Sequence, residues 1–126
     1  MIFNTATPSA GGCSQWTDIS SAGWNMSAPD YNGGLNAITD GTLVCLSVIL
    51  QNFDIASMYP FVITPPVGYK PYWSASTVLI DEDNGENVGY IWASTGNKTI
   101  NVFVTNGEVI DQQSDSLTFT IMYPIS

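Results

Sequence analysis

At 126 residues the chain is long enough for one domain with a real hydrophobic core, and its makeup, 44% hydrophobic and only 10% charged, excludes a disordered tail. Two cations, Lys70 and Lys98, stand against 11 acidic residues for a net charge of -9, with no Arg and no His. Binding to nucleic acid through phosphate contacts and attachment to membranes through a polybasic segment are thereby excluded, and partners should be neutral, cationic or bridged by a metal.

The first 15 residues, rich in Thr, Pro, Ser, Ala and Gly, read as a linker or arm, and residues 16–126 as the folded domain. The opening residues lack the basic and long apolar parts of a signal peptide, and the apolar run 43–50 has the length of a strand rather than of a membrane span. Trp16 and Trp24 flank a turn-rich connection. Residues 27–34 read as a loop, 35–39 as a short strand, and Asp40-Gly41 as a tight turn. Residues 42–51 then form a long strand with Leu43, Cys45 and Ile49 on one face and Val44, Leu46, Val48 and Leu50 on the other. Such a strand, apolar on both sides, needs cover on both. A neighbouring subunit or the chain's own loops would each supply it. Cys13 and Cys45 are too few for a disulfide scaffold; Cys45 reads as a small hydrophobe and Cys13 as a loop residue, with a reducing compartment the default.

Residues 52–59 read as a connection and 61–63 as a short strand. The stretch Pro65-Pro66-Val67-Gly68-Tyr69-Lys70-Pro71 must be a stiff corner, since its prolines lack amide hydrogens and hold φ fixed. Two hairpins are expected after it. The first joins strands 76–82 and 87–93 through Asn84-Gly85, with Gly89 marking a bulge. After a turn at 94–98, residues 99–105 alternate with Ile100, Val102 and Val104 inward. Asn106-Gly107 signals the second hairpin, into 108–110. Leu117, Phe119, Ile121 and Tyr123 share one face of a last strand. No stretch carries a helical apolar period, so the expected fold is all-β: an antiparallel β-sandwich or jelly roll.

The order of these elements carries a resemblance. Trp16 and Trp24, Asp40-Gly41 before a long strand, the corner Pro66-Val67-Gly68-Tyr69-Lys70-Pro71, the run Val102-Phe103-Val104-Thr105-Asn106-Gly107-Glu108-Val109 and the terminal Phe119, Ile121 and Tyr123 together resemble the C-terminal head domain of bacteriophage tail-fibre and baseplate receptor-binding proteins. The resemblance spans roughly residues 16–124, and Lys70 stands where that family often has Arg. It implies a homotrimeric head on the virion, assembled in the bacterial cytoplasm beside other tail or baseplate proteins, that binds a bacterial surface saccharide. A subunit interface would then cover the second apolar face of strand 42–51.

Without His, neither a Ser-His-Asp nor a Cys-His nucleophile can be built, and the chain lacks a phosphate-binding Gly-Lys-Ser/Thr loop. Carboxylate pairs could hydrolyse a glycoside, but the acids gather in turns, where solvated charge is the ordinary reading. No enzymatic activity, no catalytic residue and no cofactor are expected. Asp81 and Asp83, in Asp81-Glu82-Asp83-Asn84-Gly85-Glu86-Asn87, offer alternating oxygens that would suit Ca²⁺, yet Gly falls fifth and no Glu follows at the twelfth place. A charged hairpin tip is the favoured reading. Sugar sites pair aromatic faces with polar side chains. Tyr72 and Trp73 after the corner, and Tyr90 with Trp92 two apart on one strand face, are the best candidates; Tyr31, in the Asp30–Gly33 loop, is weaker. Core burial is the competing assignment for Trp73 and Trp92.

Overall fold

The computed structural model describes residues 15–27, 32–51, 61–110 and 115–126, more than half of them in strands. The strands are β1 (Thr17–Asp18), β2 (Asn25–Met26), β3 (Asn32–Thr39), β4 (Leu43–Gln51), β5 (Phe61–Thr64), β6 (Ala75–Asp81), β7 (Glu86–Ser94), β8 (Thr99–Val104) and β9 (Leu117–Pro124). They form one antiparallel sheet in the order β1-β3-β4-β9-β6-β7-β8-β5-β2. The all-β expectation holds. Among the described residues, no helix is long and apolar enough to cross a membrane.

The order itself forces the sheet to curl. Its two outermost strands, β1 and β2, are consecutive in the chain and joined by residues 19–24. Laid flat, nine strands would set those edges about 38 Å apart. The connection reaches at most about 25 Å. The indole Nε1 of Trp24, at the β2 end, indeed donates to the carbonyl of Ile19, just past β1, at 2.9 Å.

The curl has two limbs, β1-β3-β4-β9 and β6-β7-β8-β5-β2. Strand β9 runs along β4 from Leu43↔Pro124 to Leu50↔Leu117, yet meets β6 only at Ile80↔Thr118 and Asp81↔Leu117. The limbs splay from that junction. At the far end of the gap the amide of Tyr72 reaches the carbonyl of Pro124 at 2.8 Å, and the Tyr123 hydroxyl donates to the carbonyl of Tyr69 at 2.7 Å. The seam is thus fastened at both ends, and the space between is filled by apolar side chains.

Alternation decides which side chains fill it. Val44, Leu46, Val48 and Leu50 of β4 and Leu117, Phe119, Ile121 and Tyr123 of β9 are all buried, as expected from their period of two. Phe61 and Ile63 of β5, Ile100 and Val102 of β8, and Leu79 and Ile91 close the core from the other limb. Fully burying each such side chain is worth about 1.5–3 kcal/mol. The other face of β4 stays partly open: Leu43 and Cys45 are half-buried and Ile49 is exposed, beside the exposed Met122 opposite Cys45. The Cys45 thiol is free; Cys13 lies outside the described residues.

Four local expectations need correction. Strand β3 begins at Asn32, so Gly33 and Gly34 belong to a strand rather than to a loop. A Cβ on Gly33 would lie 2.0 Å from the carbonyl oxygen of Ile49, so the glycine marks a close strand approach that composition alone mistakes for a turn. The β6–β7 loop is a four-residue turn, 82–85, closed by the pair Asp81↔Glu86, rather than a two-residue hairpin. Gly85 still supplies a positive φ of 75°. Asn106-Gly107 makes no hairpin: Asn106 has φ -134° and precedes a single 3-10 turn, Gly107–Val109. The short strands β1 and β2, too brief to show a period, were not expected at all.

Candidate functional site

The outer face of β6, β7 and β8 carries the first aromatic surface. Cross-strand register places Val78, Tyr90 and Phe103 in one row, and Ser76, Trp92 and Asn101 in the next. Tyr90 stacks on Phe103 with ring centroids 4.7 Å apart and planes 19° from parallel. Tyr90 and Trp92 remain 45% and 43% exposed, which removes the core assignment for Trp92.

A single backbone irregularity aims these rings outward. Register slips between Leu79 and Ile80, where Leu79 faces Gly89 and Ile80 faces Asn87, so Val88 is the extra residue of a bulge. Val88 and Gly89 are both buried. Strict alternation from the buried Val88 would turn Tyr90 and Trp92 into the core; the bulge resets the phase and presents them to solvent. Gly89 permits this because a Cβ there would meet the carbonyl oxygen of Phe103 at 1.9 Å. Beside Trp92, the Asn101 amide is already engaged: its Nδ2 donates to the carbonyl of Trp92 at 3.2 Å. Phe103 was not among the sequence candidates. Its place opposite Tyr90 follows once the 95–98 turn fixes the β7–β8 register.

Tyr72 and Trp73 form the second surface, at the end of the corner and the start of β6. They meet edge to face, centroids 5.6 Å apart at 84°, and are 52% and 63% exposed. The corner under them is rigid for reasons local to its sequence. Val67-Gly68 form the centre of a turn closed by the Tyr69 amide on the carbonyl of Pro66 at 3.0 Å, with Gly68 at φ 95° as a type II turn requires. The Lys98 ammonium donates to the carbonyl of Pro71 at 3.3 Å. The structure therefore pairs Tyr72 with Trp73, and sets Tyr90 and Trp92 on one face of the neighbouring strand. Tyr31 lies outside the described residues.

At the opposite end of the sheet, Asp81, Asp83 and Asp115 bring one carboxylate oxygen each within 4.8 Å of one another. Asp81, on β6, is fully buried; Asp115 leads into β9, so this knot sits on the β6–β9 junction. Asp81 accepts from the Asp83 amide at 3.0 Å and from Asn84 Nδ2 at 3.3 Å. Asp83 accepts from the Ser116 amide, at 2.6 Å. Burial raises the Asp81 carboxyl above its usual range, and the hydrogen bond with Asp115 and the nearby negative charges of Asp115 and Asp83 push the same way. Asp81 and Asp83 do come together, as their spacing suggested, and Asp115 joins them through a strand pairing that spacing cannot reveal. A set of this kind can hold a shared proton or a divalent cation.

Comparison of the chain with protein-family models, with curated proteins and with solved structures found no match.

Proposed function

We propose that the protein is the receptor-binding head of a bacteriophage tail fibre or baseplate, recognising a bacterial surface saccharide without covalent chemistry. The observation that carries this reading is the outward display of Tyr90 and Trp92, half exposed on a sheet face whose bulge turns them away from the core. Flat rings flanked by polar side chains suit the apolar faces of sugars. The resemblance of its motif order to that of phage receptor-binding heads, on an all-β fold, supports the same reading. Assembly as a homotrimer on the virion, with other tail or baseplate proteins, belongs to this proposal: Leu43, Cys45, Ile49 and Met122, interrupted by the hydrogen-bonded Ser47 and Thr120, form the outer strip that a second subunit would cover.

Two readings compete with it. That same strip would equally serve a structural virion subunit without a receptor. A glycosidase would have to work without Asp81, which is fully buried and hydrogen-bonded within its own knot.

Adsorption of the purified protein to intact bacteria, together with a glycan array, tests the proposal. Trp92→Ala should weaken binding by about tenfold, about 1.4 kcal/mol, with its melting temperature unchanged. A folded protein that adsorbs to no bacterial envelope would favour the structural subunit. Light scattering tests assembly, since a strict monomer at micromolar concentration removes the trimer.

A further inference from the structure

Along β6, β7 and β8 the described charges are separated from one end of the sheet to the other. Both cations lie at the corner end, Lys70 within the corner and Lys98 in the 95–98 turn between β7 and β8. Asp81, Glu82, Asp83, Glu86 and Asp115 lie at the other end, around the β6–β7 turn and the start of β9. The seven residues of β6 separate the two ends by about 23 Å. At physiological salt the screening length is about 8 Å, so the acidic end contributes little field at the corner. A net charge of -9 therefore does not exclude an anion there. Among the described residues, the acids nearer the corner end, Asp18 and Asp40, belong to the β1-β3-β4-β9 limb, and each accepts backbone amides of its own turn.

Lys98 is held in place at a local cost. Its φ is +61°, and it is the sole described residue other than glycine with positive φ. Gly or Asn is the ordinary occupant of that conformation, because a Cβ crowds the backbone there. Its ammonium nevertheless reaches over to the carbonyl of Pro71, the residue before Tyr72 and Trp73. One of its three donors is spent on that bond, and two remain for a ligand. A strained lysine is thus clamped beside Tyr72 and Trp73, in a chain whose only other cation stands two residues before Tyr72.

From this juxtaposition we infer that the corner end is a binding site for a saccharide bearing an anionic substituent, a phosphate or a carboxylate. The sugar's apolar face lies against Trp73 and Tyr72, and its charge meets the Lys98 ammonium, with Lys70 adding to the local potential. This deepens, and rests on, the saccharide-binding reading above. It moves the charged part of the receptor away from Tyr90 and Trp92.

Calorimetric titration of the full chain with three polysaccharides of matched length tests the assignment: oligogalacturonate for the carboxylate, phosphomannan for the phosphate, and neutral dextran. At 0.15 M salt, at least one anionic probe should bind about tenfold or more tightly than dextran, and the preference should shrink at 1 M salt as the screening length falls to about 3 Å. Which anionic probe wins identifies the substituent. Lys98→Gly and Lys98→Asn should both abolish the preference while melting no lower than the parent, since each residue suits the left-handed seat. Trp73→Ala should abolish binding of the anionic probe altogether. Equal titrations for parent and both Lys98 variants, or a preference for dextran, would overturn the inference and leave saccharide binding standing. Failure to bind all three probes and intact bacteria alike would instead overturn the saccharide-binding reading, and this site with it.

Discussion

Replacing Tyr123 by Phe removes one oxygen atom and tests how the two limbs are held together. Tyr123 is the largest fully buried side chain, and its hydroxyl donates to the carbonyl of Tyr69, in the corner, at 2.7 Å. The ring fills the same volume as Phe, so no cavity forms. What is lost is a hydrogen bond in a part-buried place, together with the donor that satisfied the Tyr69 carbonyl. That costs about 1–2 kcal/mol. Unfolding entropy near 60 °C is about 2.1 cal/mol/K per residue, so for 126 residues the melting temperature should fall by about 4–8 °C. Thermal unfolding followed by circular dichroism reads the shift. The effect should also reach the candidate site, because the corner carrying Tyr72 and Trp73 loses one of its two ties to β9 while keeping the Tyr72 amide on Pro124. Burial also raises the Tyr123 phenol well above its usual range. The sign follows: an unfolded tyrosine ionises near pH 10 while the folded one stays protonated, so this contribution is intact below pH 10 and declines as pH rises further. Absorbance titration of the folded protein should leave this phenol un-ionised when exposed tyrosines have titrated. A Tyr123→Phe melt within about 1 °C of the parent would refute the claim that this bond fastens the seam.

Three further outcomes are expected. Asp81→Asn should gain on the parent as pH rises from 4 to 7, because a carboxyl whose folded pKa is raised stabilises the fold only while protonated and loses that contribution as pH climbs through the folded value; paired melts across that range check it, and a calcium-dependent rise in the parent that Asp81→Asn abolishes would show that the knot holds a cation instead of a proton. Gly33→Ala should cost more than about 1 kcal/mol, since its Cβ would collide with the Ile49 carbonyl across the β3–β4 ladder; an unchanged chemical-denaturation midpoint would contradict that packing. Leu46→Ala, in the core, should cost about 2–5 kcal/mol at any protein concentration, whereas Ile49→Ala on the outer strip should act through association; melts at two concentrations separate the two cases.

Much of the fold could be read from the order of residues because its longest strands alternate without interruption. The inward set of β9 can be read from the pattern, and so can Ile100 with Val102 on β8; for β4 the pattern separates two apolar faces without saying which turns inward, and pairing with β9 decides it. What the pattern could not carry is anything decided by a partner strand. Gly33-Gly34, following a run of loop-forming residues, looks like a turn until the Ile49 carbonyl is seen to need the space. Asn106-Gly107 looks like a hairpin because the dipeptide is a local signal, yet no described residue after it pairs back onto β8, and the chain makes a 3-10 turn. Tyr90 and Trp92 were legible as types and spacing, and Gly89 signalled a bulge, but their direction was not legible, since it depends on which residue, Val88, is the extra one. Asp115 and Lys98 enter their sites through contacts across 34 and 27 residues respectively, as the separations of Asp81 from Asp115 and of Lys98 from Pro71 show.

These non-local decisions share a consequence for where function can sit on this fold. A curled sheet whose ends are tied by residues 19–24, and whose limbs meet over two residue pairs, concentrates its apolar side chains inward and leaves little freedom for loops at the seam. On the proposed reading, the described residues then offer strand faces and strand ends for recognition. The face of β7 is made available by a bulge, and the corner end by a proline-stiffened turn, two devices that fix backbone direction before any ligand arrives. Preformed rings lose little side-chain entropy on binding, which matters most for sugars, whose hydroxyls gain little on leaving water. A chain with two cations has no reserve of charge to spread over its surface, so where those two stand carries information. Both stand beside the most exposed aromatic pair, at the end of the sheet farthest from the carboxylate knot. If binding proved to centre on the acidic end instead, the charge separation would be incidental to recognition and the rigid corner would be no more than a fold device.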